Sequence, residues 1–456
     1  MRILFVLLAA GLASAQAQTA EPTSRDLSMA AGYKAQFVCS GLFSGGKSLE
    51  AIEEDELRGI YPGYEETVGA LPAAKVNRAR KTVSVRFAED MPPRIAVWRQ
   101  HLGCASLPPG SMNGNILPRI ELERPTASDE PWPQGEGAEL RRAAITELDR
   151  VLEETVTGAF GGSTSAVVVI RDGELVGEQY KEGFGPETAQ RTWSVAKSLA
   201  ATVIGAAVHQ GILEPDQPTG LSAWSAPGDP RQAITLENLL HMASGLDSEP
   251  AGNRTDEVYF GGGLVSQHAV EGALQAPPGT RWRYANNDTM LAMLTLRERM
   301  EGRSEYLRFP FEAVLHKIGM LHTYPETDWR GDYVMSSQVW TTARDLARLG
   351  QLYLQDGVWE GERILPEGWA EYVSTPAPSQ PPRRGDGPSR GYGVQFWLYE
   401  GFDGVPEGSY AALGNRGQVV MIVPERNAVI VRRGYDSAGN RIDIPAFTAA
   451  VLEALE

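Results

Sequence analysis

The stretch Ser198-Leu-Ala-Ala-Thr-Val-Ile-Gly-Ala-Ala-Val208 has almost nothing polar on any side of a helix, so it is at home only as a helix buried all round. A chain that contains it must supply layers of structure to cover it. The helix begins just after Arg191-Thr-Trp-Ser194 and carries Lys197 near its first turn. Ser194 and Lys197 stand at i and i+3 and share a face. Desolvation and the positive helix N-terminus both disfavour an ammonium there, which favours a neutral amine able to take a proton from the serine hydroxyl. Ser194 is therefore a candidate nucleophile and Lys197 its candidate base. Ser-x-x-Lys is a weak pattern by itself, and Ser44-Gly-Gly-Lys47 repeats it in a glycine-rich stretch unsuited to a helix.

A chain of 456 residues exceeds one ordinary core, and about 150 residues per domain suggests two or three units; two is the working number. The net charge of -16 excludes a partner recognised through its phosphate backbone, so no nucleic acid is expected. Residues 1–17 read as a signal peptide: one basic residue, a short apolar run, and Ala13-Ser-Ala15 as the cleavage site. The run is too short to span a bilayer comfortably, which implies an exported protein, periplasmic or secreted, with no stable membrane anchor after cleavage. In an oxidising compartment the two cysteines, Cys39 and Cys104, are expected to join, contributing about 4 kcal/mol on the chain-entropy account.

Residues 18–120 mix short apolar runs with turns and offer no helix as strong as the later ones, which suggests a small N-terminal domain stapled by the Cys39–Cys104 disulfide. Residues 121–138, with Pro131-Trp-Pro133, read as a surface linker. From 139 to 456 the periodicity predicts one larger domain. Helical spacing runs from Glu139 to Val156, and strands at Thr164–Ile170 and Glu174–Tyr180 are joined through Arg171-Asp-Gly173 as an antiparallel hairpin. A short helix is started by Thr235 and stopped before Gly245. Tyr284 and Asn286 fall in an irregular segment feeding a helix from about Thr289. Further helices are predicted at Thr342–Leu354, Pro366–Val373 and Pro445–Leu455, closing strands at Tyr392–Tyr399, Gln418–Val423 and Ala428–Arg433, and a mobile surface loop over Thr375–Gly391. Strands at both ends with helices between imply an α+β fold: a mostly antiparallel sheet whose first and last segments meet in its middle, with helices on both faces.

Three stretches, Trp193-Ser-Val-Ala-Lys-Ser198, Pro278-Gly-Thr-Arg-Trp-Arg-Tyr-Ala-Asn286 and Leu413-Gly-Asn-Arg-Gly-Gln418, together resemble the serine β-lactamase and penicillin-binding-protein superfamily. The likeness is to its class C-like branch of esterases and 6-aminohexanoate-dimer hydrolases and covers about residues 140 to 456. It implies a three-layer β-lactamase-like fold with a helical subdomain. It also implies a serine hydrolase, a carboxylesterase or amidase that forms an acyl-enzyme on Ser194, with a small-molecule ester or amide as substrate and no cofactor. Lys197 would take the proton, and Tyr284 would share the base role as a phenolate or relay. Asn286 would orient Lys197 or the substrate carbonyl. The backbone N–H groups of Ser194 and Asn415 would form the oxyanion hole, and Gly414 would let the substrate close to its strand. Without the resemblance Tyr284 reads as a core aromatic and Asn286 as a helix cap. Trp193, Trp282 and Trp397 fit a pocket wall or the core equally well.

One departure from the pattern is Ala412-Leu413-Gly414, where many relatives carry Lys-Thr-Gly or His-Thr-Gly. The cation and hydroxyl that engage a β-lactam carboxylate are missing, which favours an esterase or amidase over the alternative of a β-lactamase or peptidoglycan peptidase. A non-catalytic binding or sensing module on the same fold is a further alternative, opposed by the intact Ser194, Lys197 and Tyr284. Gly387-Pro-Ser-Arg-Gly391 matches the nucleophile-elbow pattern, yet no histidine follows it. The six histidines are scattered, so no metal is expected.

Overall fold

A computed structural model describes residues 21–135, 145–248 and 255–456, apart from positions 61, 384 and 386. The signal peptide assigned to residues 1–17 lies outside the described residues. No described helix is long and apolar enough to cross a membrane.

The N-terminal part opens with a helix, α1 (Ser24–Phe43), followed by α2 (Leu49–Glu56) and α3 (Pro62–Ala70). An antiparallel sheet follows, in the order β1 (Lys75–Asn77), β2 (Thr82–Val85), β3 (Arg94–Arg99) and β4 (Gly103–Ser106). The expectation of no strong helix here is corrected, since α1 is the longest described helix, with 20 residues. Thr23 and Asp26 start it with a reciprocal capping box. Every residue from Met29 to Leu42 is buried, so α1 has no polar stripe to give a helical period. Cys39 on α1 and Cys104 on β4 form a disulfide with Cα atoms 6.1 Å apart.

Beyond the N-terminal part, α4 (Thr146–Thr157) leads into β5 (Thr164–Arg171) and β6 (Glu174–Tyr180). A small three-stranded sheet is built from β7 (Gln190–Arg191), β8 (Tyr324–Pro325) and β9 (Val339–Thr341). The all-round apolar helix is α5 (Val195–His209), buried from Val195 to Ala207. Between α5 and β8 lie the helices α6 (Leu236–Leu240), α7 (Thr255–Tyr259), α8 (Val265–His268), α9 (Asn286–Arg299) and α10 (Arg303–Pro310). Next come α11 (Ala343–Leu354), a hairpin of β10 (Val358–Trp359) and β11 (Glu362–Arg363), and α12 (Trp369–Ser374). The closing strands are β12 (Gly391–Tyr392), β13 (Trp397–Tyr399), β14 (Ser409–Gly414), β15 (Gln418–Val423) and β16 (Ala428–Gly434), with α13 (Ile444–Glu453) last.

The main sheet has the order β12-β13-β14-β15-β16-β5-β6, with every neighbouring pair antiparallel. β5 pairs with β16 in its interior, Ile170 opposite Val429 and Val168 opposite Val431, so the first and last strands meet as the sequence predicts. One apolar layer, with Leu148 and Leu152 of α4 and Phe447 and Val451 of α13, covers one face. The other face is covered by α5 and α11 within a core that also includes Tyr33, Phe37 and Val38 of α1. The result is a three-layer α+β architecture.

Polar contacts tie the N-terminal part to the rest. Buried Glu326 accepts hydrogen bonds from Ser40 Oγ (2.6 Å), Gln36 Nε2 (3.1 Å) and the Cys104 amide (3.1 Å). Lys47 Nζ bonds Asp55 Oδ2 at 2.8 Å and Tyr435 Oη at 3.0 Å. Residues 121–130 are mostly exposed, after which Trp132 is buried and Arg348 holds the carbonyls of Pro133 and Gly135.

Candidate active site

Ser194 is delivered by a turn pinned at its base. β7 pairs with β9, and the Thr192 amide donates to the Val339 carbonyl at 2.8 Å. Trp193, just before the serine, is left-handed at φ 51°, a conformation that costs a non-glycine residue roughly 1–3 kcal/mol. Ser194 then occupies the N-cap position of α5 but makes no side-chain cap bond, unlike most capping serines. Its hydroxyl turns instead to Lys197 Nζ, at 3.2 Å, and to the Tyr284 phenol.

Lys197 lies one turn along the buried helix. Its Nζ donates to Asn286 Oδ1 at 2.6 Å and to the Ser336 carbonyl at 2.7 Å, two neutral acceptors. Burial, with no opposing carboxylate among the described residues, drives its pKa down to about 7. Lys47, the other lysine in a Ser-x-x-Lys pattern, shows the contrast. Burial disfavours its charge too, but Glu56, Tyr435 and Asp55 outweigh that and raise its pKa, and its Ser44 hydroxyl accepts from Trp98 Nε1 at 3.2 Å. The same spacing thus gives a structural ion pair at one place and a poised amine at the other.

Tyr284 comes from the irregular segment before α9, its ring centroid 4.9 Å from Lys197 Nζ. Burial pushes its phenol up to about 12, against smaller lowering effects of the Ser194 hydrogen bond and the Arg390 charge. Asn286 is the first residue of α9 and not part of the irregular segment. Two residues on, buried Asp288 accepts from Ser244 Oγ at 2.8 Å, and the Ala285 amide donates to Met242 Sδ at 3.3 Å. These bonds fix the Tyr-Ala-Asn segment against Leu239–Leu246. The expected helix there ends at Leu240, because Met242 is left-handed at φ 58°.

Gly414 ends β14, a strand that the resemblance implied and the periodicity did not pick out. A Cβ on Gly414 would lie 2.4 Å from the Thr192 carbonyl oxygen, so a strand end and the nucleophile turn touch backbone to backbone. Asn415 follows, exposed, and then Arg416, left-handed at φ 57°. Gln418, of the same motif, is a structural latch: it donates to the Gly434 carbonyl and accepts from Arg433 Nε at 2.8 Å. Ala412 is fully buried. Lys197 therefore touches Ser194, Tyr284 and Asn286, Tyr284 also bonds Ser194, and Gly414 lies against the turn that carries the serine.

Sequence reasoning missed several neighbours. The Ser336 carbonyl leaves no mark in a sequence, since any residue could supply it. Trp282 and Trp397 form a cluster with Tyr284 and Tyr392, the last two ring centroids 6.1 Å apart and Tyr392 4.9 Å from Trp397, whereas Trp193 is buried under Arg191. Exposed Arg390 lies 5.2 Å from the Trp397 ring. The serine of Gly387–Gly391 stands in a stretch followed by strand β12, not by a helix, so the elbow context is not met.

The beta-lactamase family model matches residues 148–433. The 6-aminohexanoate-dimer hydrolase of Paenarthrobacter ureafaciens is 27% identical over 343 residues, 70% of this chain and 82% of that protein. Among solved structures, a family VIII carboxylesterase is similar with a TM-score of 0.55 at 16% identity, covering 69% of this chain and 99% of its own. A penicillin-binding protein homologue from Caulobacter crescentus gives a TM-score of 0.54 at 17% identity, covering 70% and 98%. These structures share the fold with the chain. With more than half of its length inside the family match, the chain belongs to the beta-lactamase family, part of the serine β-lactamase and penicillin-binding-protein superfamily.

Proposed function

We propose that the chain is an exported serine hydrolase that cleaves ester or amide bonds of small acyl substrates through an acyl-enzyme on Ser194. The observation that carries this reading is the hydrogen bond between Ser194 Oγ and Lys197 Nζ, an amine held near pKa 7 by burial. At neutral pH a large fraction of Lys197 is unprotonated and able to take the serine proton as Oγ attacks the carbonyl carbon. Of the two roles considered for Tyr284, a pKa near 12 favours the relay: the phenol keeps its proton at neutral pH, can pass it to the departing alkoxide or amine, and regains one from Lys197. Water then attacks the acyl-enzyme with the same base. The oxyanion is assigned to the amides of Ser194 and Asn415, and the similarity to a 6-aminohexanoate-dimer hydrolase supports an ester or linear amide as substrate. The Cys39–Cys104 disulfide supports export.

Arg390 favours a second reading, in which acid-bearing substrates such as β-lactams are also accepted, because it brings a cation close to Tyr284 that Ala412 does not provide. One assay separates the readings. A short-chain p-nitrophenyl ester, a linear aminohexanoate dimer and a chromogenic cephalosporin are offered side by side, with Ser194→Ala as control. Turnover of the ester or dimer that falls at least about a thousandfold in the control supports the proposal. Dominant cephalosporin cleavage favours the second reading. Activity that survives Ser194→Ala sinks both.

A further inference from the structure

Phe37 of α1 and Trp193 hold the Arg191 guanidinium between them, its central carbon 4.3 Å from the first ring centroid and 3.6 Å from the second. Arg191 is buried, and its Nη2 donates to Ser337 Oγ at 3.2 Å. Its Nε and Nη1 have no hydrogen-bond partner among the described residues. Leaving buried donors unmet is costly, and a guanidinium stacked on aromatic faces offsets part of that cost through cation–π attraction. Its place is therefore set by the two rings together with the Ser337 hydrogen bond and the carboxyls of Asp256 and Glu326, whose charges it feels, and the Trp193 ring belongs to the left-handed residue next to Ser194.

The other flank of the site repeats the arrangement with different chemistry. Arg416, also left-handed, follows Asn415 directly. Its Nη2 donates to the Tyr435 carbonyl at 3.2 Å and its Nη1 to the carbonyl of Asp55 on α2. A non-glycine residue stays left-handed only where its surroundings over-determine it, and on both flanks part of those surroundings comes from residues 37 to 55. Those residues lie outside the family match of 148–433.

We infer that the N-terminal segment from α1 through α2 is a positioning element of the hydrolytic site. It fixes Trp193 beside Ser194 through Phe37 and Arg191, and Arg416 beside Asn415 through Asp55, so that the two proposed oxyanion amides converge before charge develops. The inference rests on the acyl-transfer reading. It explains why α1 shares the core of α5 and why a buried, half-bonded arginine stands three residues before the nucleophile. Preorganised donors act on the transition state more than on substrate binding, so the segment's contribution belongs in kcat.

The test uses the full chain with Phe37→Leu, Arg191→Met, Arg191→Lys and Arg416→Met, assayed on the ester that the parent hydrolyses, with thermal melting in parallel. The expected result is a loss of about tenfold to a hundredfold in kcat for Phe37→Leu, Arg191→Met and Arg416→Met, with KM within about threefold of the parent. Arg191→Lys, which keeps a cation between the rings, recovers most of the loss. Folded variants with parental kcat overturn the inference, as does a loss that merely follows the melting temperature with Arg191→Lys no better than Arg191→Met. Parent activity that is insensitive to Ser194→Ala removes the acyl-transfer reading itself, a different outcome from parental kcat in these variants.

Discussion

Burial acts on Lys197 and Tyr284 in opposite directions, lowering the amine to about 7 and raising the phenol to about 12. The neutral amine is the active form, so kcat/KM should rise with pH through about 7 and then level off, with the phenol still protonated at pH 9. A pH–rate profile checks this, and a profile flat from pH 5 to 9 would remove Lys197 as the base. Lys197→Arg, whose guanidinium stays charged, should lose at least about a thousandfold in kcat without recovery at high pH. At this scale Ser194 and Lys197 were candidates from their spacing, and Tyr284 and Asn286 only through the family resemblance; the structure gathers all four side chains around the Lys197 amine. Arg191 stands two residues before the Trp193–Ser198 motif, but its partner Phe37 is distant in the chain, and no spacing rule joins them.

Besides α5, apolar on every side, the readable elements were those with one buried face or with clear turn chemistry. Asp172 and Gly173 do make the β5–β6 turn, both at positive φ, and α11 begins at its Thr342 cap. Two failures have separate causes, the burial of polar and apolar residues alike in α1 and local strain in the strand. α1 is buried along its whole middle, and the run expected as one strand from Tyr392 to Tyr399 breaks into β12 and β13 around left-handed Gln395. Gln395 is held there by Thr289 Oγ1 at 2.7 Å and by its bond to the Leu240 carbonyl at 2.7 Å, contacts invisible in sequence. The contact of β14 with the nucleophile turn gives a sharper prediction. Gly414→Ala must displace either the strand end or the Thr192 carbonyl, so kcat should fall about a hundredfold while the fold persists. Ester kinetics with circular dichroism read both, and unchanged kcat would show that the contact does not set the site.

For the molecule as a whole, the buried carboxyl of Glu326 joins the N-terminal helix and strand β4 to the rest of the core. Burial raises its pKa to about 7, against the lowering effect of its hydrogen bonds from Ser40, Cys104 and Gln36. Because the folded value lies above the unfolded one, its contribution to stability is full in acid and is lost as pH rises toward 7. Glu326→Gln should therefore narrow the difference in melting temperature between pH 5 and pH 8; an unchanged difference would show that this carboxyl does not set it. The architecture also orders events during synthesis. Seven of the eight residues of β5 are buried, and its inner neighbour β16 is made after every other strand of the main sheet. A nascent chain that has not yet reached Ala428 therefore holds this apolar strand with an open edge, the condition that invites pairing with other chains. The sheet's distant pairing makes slow, late closure the expected folding rhythm, and a ribosome stalled just short of residue 428 should release material prone to aggregate.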